Sequence, residues 1–129
     1  MLTEKDYCDY ETCVALKELG ITACGLRFYE KGCPNTLYQN HLQPLTIRSA
    51  EALDRVLAIS LYYAQKWLRE KKNIQIEIPT SFMDNGVWKF SFRIQTPEFY
   101  DRAIGEWDSF EEALLEGIKE AVKILKEGK

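Results

Sequence analysis

Hydrophobic side chains recur at helical spacing near the start of the chain. Cys13, Leu16 and Leu19 form an apolar stripe of about two turns, which predicts a helix with one buried face. Asp9 precedes this stripe, and its carboxylate can accept from the free N–H groups of a first helical turn. Gly20 follows it and is typical of a helix end.

The same spacing is clearest in the last part of the chain. Ser109 and Glu112 have the separation of a capping box, in which each side chain accepts from the other's backbone N–H. The apolar stripe that follows comprises Phe110, Ala113, Leu114, Ile118, Ala121, Val122 and Leu125. Gly117 lies on this buried side, and we interpret it as allowing close approach between the helix and a sheet.

The middle of the chain, RSAEALDRVLAISLYYAQKWLREKKN, allows two interpretations. It forms either one long helix capped by Ser49, or a helix over 61–72 capped by Ser60 after a helical or irregular lead-in at 49–59. Both interpretations place a helix over 61–72.

Alternation of apolar and polar residues predicts strands between these helices. In TACGLRFYE, the pattern places Cys24, Leu26 and Phe28 on a buried side, and LYQNHL is a weaker second strand after a turn at Gly32 and Pro34. NIQIEIP alternates with its isoleucines inward.

A hairpin is predicted next. VWKFSFRIQT places Trp88, Phe90, Phe92 and Ile94 inward, and the pair Asn85-Gly86 marks the turn of a hairpin with a long tip. DRAIGEW is a further candidate strand before the last helix.

These elements predict an α+β fold in a single domain spanning residues 1–129. The order is helix, one or two strands, helix, two or three strands, helix, with about three helices packed mainly on one face of an antiparallel sheet of about three to five strands. A length of 129 residues is that of one ordinary domain.

The charge and hydropathy of the chain disfavour two classes, nucleic-acid-binding proteins and membrane proteins. The formal net charge of −3 disfavours binding to nucleic acid, which requires a basic face. The sequence contains no apolar run of about 20 residues and no apolar leader, so we expect a cytoplasmic protein with no membrane contact.

The four cysteines and the single histidine, His41, are the residues that first suggest a metal or redox site. The cysteine spacings lack the short C-x2-C pair of zinc sites, so we predict no metal, no cofactor and no catalytic residue. Cys8 and Cys13 instead hold the positions of a hydrophobic staple around an N-cap at Asp9. We expect four free thiols, with a reversible Cys8–Cys13 link left open.

Three segments, ETCVALKELGI, YYAQKWLREKKNIQIEI and WDSFEEALLEGIKEAVKIL, together resemble a family of small uncharacterised proteins from gut Bacteroidetes genomes and their phages or mobile elements. The resemblance covers residues 1–29 and 57–126, with KWLRE its most distinctive element, and it departs over 31–55. It implies a helix that starts after Ser60. The family supplies no reaction, ligand or catalytic residue to carry over.

The remaining functional signal is aromatic. The sequence has 16 aromatic residues, more than three short core faces need. We predict a protein-contact or self-association surface formed by Tyr62, Tyr63, Phe82 and Met83, because interfaces are enriched in such residues. The function expected is therefore a small, non-enzymatic protein-interaction module. The alternative is a small enzyme or ligand-binding protein that uses a cleft between the sheet and the middle helix.

Overall fold

The computed structural model describes residues 3–40, 43–79, 82–98 and 104–127, with the side chains of Phe82 and Ile104 outside the description. His41 also lies outside the described residues. The chain divides into two compact units, Met1–Ser60 and Leu61–Lys129, here called the N-terminal and C-terminal units. A single domain over residues 1–129 stays a prediction.

The first helix, α1 (Tyr10–Glu18), begins and ends as the sequence predicts. Asp9 is its N-cap, and the Asp9 carboxylate accepts from the N–H of Thr12 at 2.9 Å. At the other end, the N–H groups of Gly20 and Ile21 donate back to the last carbonyls of the helix, which is the Schellman arrangement. Gly20 has φ +96°, a value that glycine adopts without steric cost.

Among its described residues, the N-terminal unit contains five antiparallel strands. They are β1 (Cys24–Gly25), β2 (Arg27–Glu30), β3 (Cys33–Gln39), β4 (Leu45–Thr46) and β5 (Arg55–Leu57). β1 pairs with β4, and β2 lies between β3 and β5. Gly32, with φ +90°, provides the turn between β2 and β3, whereas Pro34 lies inside β3 at the edge of the sheet.

The predicted alternation over residues 24–28 is wrong in part. Cys24 and Leu26 are exposed, while the neighbours Phe28 and Tyr29 are both buried. The reason is that a bend at Leu26 separates two strands with different partners, and β2 is covered on both faces. The Tyr29 hydroxyl reaches the start of α1, whereas the Phe28 ring stacks on Tyr38.

The split interpretation of the middle segment is confirmed. A short helix, α2 (Ile47–Ala52), starts at Thr46, whose hydroxyl accepts from the N–H of Ser49 at 3.0 Å. Ser49 is thus the N3 residue of a capping box whose N-cap is Thr46, rather than an N-cap itself. The strand β5 follows, and α3 (Leu61–Lys72) begins directly after Ser60.

The C-terminal unit is built around one long strand, β8 (Val87–Gln95). The strand β6 (Gln75–Glu77) pairs with the C-terminal part of β8, β7 (Phe82–Asp84) pairs with its N-terminal part, and β9 (Ile104–Trp107) also pairs with it. All three pairings are antiparallel. The predicted long hairpin tip is wrong, because residues 82–84 form a strand and the connection to β8 has only two residues.

The last helix, α4 (Phe110–Lys126), begins at Ser109, whose hydroxyl accepts from the N–H of Glu112 at 3.1 Å. Its buried side faces the sheet at Gly117. A Cβ atom at Gly117 would lie 2.7 Å from Ile76 Cγ2 and 3.3 Å from the Phe92 side chain, so the predicted close approach is confirmed. With four α-helices and only antiparallel strand pairs in the described residues, the α+β class is confirmed.

Candidate functional site

The four residues predicted to form a contact surface lie in the C-terminal unit. Tyr62 and Tyr63 are in the first turn of α3, and each exposes about two-fifths of its side chain, at 40% and 39%. Met83 is in the middle of β7 and is 55% exposed. The backbone of Phe82 begins β7, but the side chain of Phe82 lies outside the described residues.

The hairpin β7–β8 is held by a tight turn. Asn85 and Gly86 both have positive φ, at +51° and +78°, the conformation of a type I′ turn. This turn sets Asp84 opposite Val87 and Met83 opposite Trp88. Because residues directly opposite one another share a face, the side chains of Met83 and Trp88 stand side by side.

Trp88 is the residue that sequence reasoning missed. The pattern of β8 assigned it to the core, and it does share a face with Phe92 and Ile94, which are buried. That face is covered by α4, which meets it at Gly117 and Phe92. Towards the hairpin turn Phe90 is only half-buried, and Trp88 is 53% exposed. The apolar face of the strand thus extends past the part that α4 covers.

The two tyrosines lie towards the same end of the C-terminal unit as the hairpin. The hydroxyl of Tyr62 donates to the Glu111 carboxylate at 3.2 Å, which places the start of α3 beside the start of α4. The helix α4 follows β9 after a short link, and Trp107 of β9 pairs with Phe90. We call Tyr62, Tyr63, Met83 and Trp88 the hairpin-end surface.

Acidic side chains outnumber basic ones in the segments that form the hairpin end of the unit. Between residues 82 and 89 and between 104 and 112, one basic residue accompanies five acidic ones; these are Lys89, Asp84, Glu106, Asp108, Glu111 and Glu112. Lys89 forms an ion pair with Asp108, and this hydrogen bond raises the pKa of the Lys89 ammonium. The hairpin end therefore carries an excess of negative charge, and the one cation within these two ranges is already neutralised. Asp84 and Lys89 lie on the face of the hairpin opposite to Met83 and Trp88.

Cys8 and Cys13 form a structural cluster rather than a reactive site. Both are buried at the start of α1, and the Cys13 thiol donates to the Cys8 carbonyl oxygen at 3.6 Å. The same carbonyl accepts from the Tyr29 hydroxyl at 2.8 Å. The hydrogen bond with Cys13, together with burial, raises the pKa of the Cys8 thiol, which keeps it protonated and unreactive.

The other two thiols are on the surface. Cys24 and Cys33 are exposed, and all four cysteines are free. Across the described ranges, no group of three or more His, Cys, Asp and Glu side chains is placed to hold a metal ion. Nor is any helix there long and apolar enough to cross a membrane.

The N-terminal unit contains a separate groove of about 860 Å³. It lies between the C-terminal end of α1 and the start of α2, and Lys17, Arg48 and Glu51 are the charged residues of its lining. The predicted alternative function would use a cleft of this kind, although here the walls are two helices and the segment 20–23.

Comparison of the chain with protein-family models, with curated proteins and with solved structures finds no match to any of them.

Proposed function

We propose that this chain is a protein-interaction module that binds a different protein through the hairpin-end surface. The observation that carries the proposal is the exposed pair of Met83 and Trp88, which continues the apolar face of β8 beyond the cover of α4. Tryptophan is the side chain most enriched among the residues that dominate binding energy at interfaces, and methionine is enriched in interfaces generally.

The hairpin presents this pair in a fixed geometry. A type I′ turn matches the twist of the two strands, and the base of β8 is anchored by buried Phe92 and Ile94. A surface that is already ordered loses little conformational entropy on binding, so more of the contact energy appears as affinity.

The negative charge of the hairpin end indicates the chemistry of the partner. An apolar contact at an end of the unit with excess negative charge, including Glu111 beside Tyr62, fits a partner segment with an apolar centre and flanking lysine or arginine. Symmetric self-association through the same surface would bring two negatively charged hairpin ends together, because a two-fold interface joins identical patches. We therefore favour a different protein over a second copy of this chain.

Site-specific photocrosslinking tests the proposal. A photoreactive amino acid replaces Met83, and the matched control carries it at Leu53, which is equally exposed at 56% but lies in the N-terminal unit. Each purified protein is irradiated in a lysate of a gut Bacteroidetes species, the group that the family resemblance indicates. We expect a discrete crosslinked protein from position 83 that the control at position 53 does not yield.

The crosslinked protein is then purified and titrated with the wild type and with Trp88→Ser. The variant should bind at least tenfold more weakly, and binding should weaken as salt rises, because the negative charge of the hairpin end contributes electrostatic attraction. Light scattering after size exclusion measures self-association in parallel. Equal crosslinking from both positions, unchanged affinity in Trp88→Ser, or a homodimer that Trp88→Ser dissociates would each refute the proposal.

A further inference from the structure

The groove in the N-terminal unit has the size and lining of a small-molecule site. Its volume of about 860 Å³ falls within the range of about 300–1,000 Å³ typical of ligand pockets. Ile21 is almost fully buried beneath it, and Ala23 and Ile47 are half-buried in its walls. The apolar part of a ligand can therefore pack against these three side chains.

The three charged side chains of the lining differ in whether they are already paired or can bind a ligand. Lys17 from α1 and Glu51 from α2 form an ion pair of 2.9 Å, so each largely neutralises the other. The hydrogen bond from Lys17 lowers the pKa of the Glu51 carboxyl, which therefore remains ionised at neutral pH. Arg48, one turn earlier on α2, is exposed and has no ion-pair partner in the part of the chain that the structure describes.

Of the three charged groups of the lining, the Arg48 guanidinium is thus the one available to a ligand, and it lies beside an apolar wall. A guanidinium presents two parallel N–H groups, a geometry that matches a carboxylate. Because Lys17 and Glu51 offset each other, Arg48 leaves the lining with one net positive charge, which suits a ligand with one negative charge better than one with several. The lining is complementary to a single anionic group attached to an apolar body.

We propose that this groove binds a small monocarboxylate with an aliphatic body, with the carboxylate on Arg48 and the body along Ile21, Ala23 and Ile47. This site is independent of the hairpin-end surface, since it lies in the other unit and uses none of the same residues.

Titration of the full-length, isotope-labelled protein by NMR tests the site, with sodium octanoate, sodium hexanoate and octanol as probes. We expect saturable shifts of the amide signals of Gly20, Ala23, Ile47 and Ala52, which line the groove. Each buried CH₂ group strengthens binding about fourfold, so octanoate, with two more of them, should bind about fifteenfold more tightly than hexanoate. Octanol, which lacks the charge, should bind about tenfold more weakly than octanoate.

Variants of the charged residues separate charge recognition from apolar contact. Arg48→Gln should weaken octanoate binding about tenfold, whereas Arg48→Lys should restore part of the affinity. The matched control is Arg69→Gln, an exposed arginine of α3 in the C-terminal unit, which should have no effect. Glu51→Gln provides the sharpest test, because it releases Lys17 and removes a negative charge. That variant should bind octanoate several-fold more tightly.

Circular dichroism checks that each variant is folded before titration. Four outcomes would overturn the proposal: shifts that do not saturate, equal affinity for octanoate and octanol, equal behaviour of Arg48→Gln and Arg69→Gln, or weaker binding by Glu51→Gln. Loss of octanoate binding in Trp88→Ser would likewise contradict the independence of the two sites.

Discussion

Replacing Gly117 with alanine should destabilise the protein, although alanine is the better helix former. Gly117 is in the interior of α4, where alanine is favoured over glycine by about 1 kcal/mol. The added Cβ would lie only 2.7 Å from Ile76 Cγ2. Ile76 is buried and β-branched, so its methyl group has little freedom to move away.

The gain in helix propensity and the cost of the steric contact oppose each other, and the cost of the contact is the larger. Adding a methyl group to a filled core costs about 1–3 kcal/mol, against the gain of about 1 kcal/mol in helix propensity. The expected net loss is about 1 kcal/mol in the free energy of unfolding. For a chain of this length, such a loss lowers the melting temperature by about 4 °C.

Urea unfolding followed by circular dichroism measures the loss, and Lys123 supplies the control. Lys123 is exposed on the same helix, so Lys123→Ala should be more stable than Lys123→Gly by about 1 kcal/mol, the propensity difference without a contact. If Gly117→Ala were stabilised by a similar amount, α4 would not approach the sheet as closely as described. In that case α4 would not pack on Phe92 in the way that leaves Trp88 exposed.

Three further predictions follow from burial and hydrogen bonding. Trp88→Phe should remove the largest part of the tryptophan fluorescence that iodide quenches, since Trp88 is 53% exposed, Trp107 is half-buried and Trp67 is only 8% exposed; unchanged quenching would place Trp88 in the core. Ellman's reagent should react with two of the four thiols in the native protein and with all four after denaturation, because two are buried. Tyr29→Phe should cost about 1–2 kcal/mol at pH 7 through loss of the hydrogen bond to the Cys8 carbonyl. Burial raises the pKa of Tyr29 well above its usual range, so the wild type should lose stability above pH of about 10, where the unfolded chain ionises first, and the variant should lose less.

The helices could be predicted because their signals are local. Asp9 and Gly20 delimit α1, and Ser109 begins α4, since capping involves only residues within one turn of each other. The role of Gly117 was predictable for a similar reason, because a glycine that costs helix propensity on a buried face indicates that a neighbouring element packs against its backbone. The Asn85-Gly86 turn is likewise local, since both residues must adopt positive φ.

The errors arise where burial depends on distant partners. Alternation correctly put Trp88 on the same face as Phe92, but it cannot tell how far a covering helix extends along a strand. Similarly, Cys24 and Leu26 follow the alternation of a buried strand, yet a bend gives β1 and β2 different neighbours. The positions of Cys8 and Cys13 at the start of α1 were predicted correctly, because they are the N′ and N4 positions around the N-cap Asp9.

The sequence by itself therefore determined the extent of α1 and α3, the start of α4, the hairpin turn and the α+β class, through patterns among residues close in the chain. The burial of Cys8 and Cys13 also depends on Tyr29 and Ile59, which are distant in the chain. Only the tertiary structure decided which apolar residues stay exposed and which charges are free to act. Trp88 is exposed because α4 leaves it uncovered, and Arg48 is available because Glu51 pairs with Lys17 from another helix. Both features depend on residues distant in the chain, whose proximity no local pattern encodes.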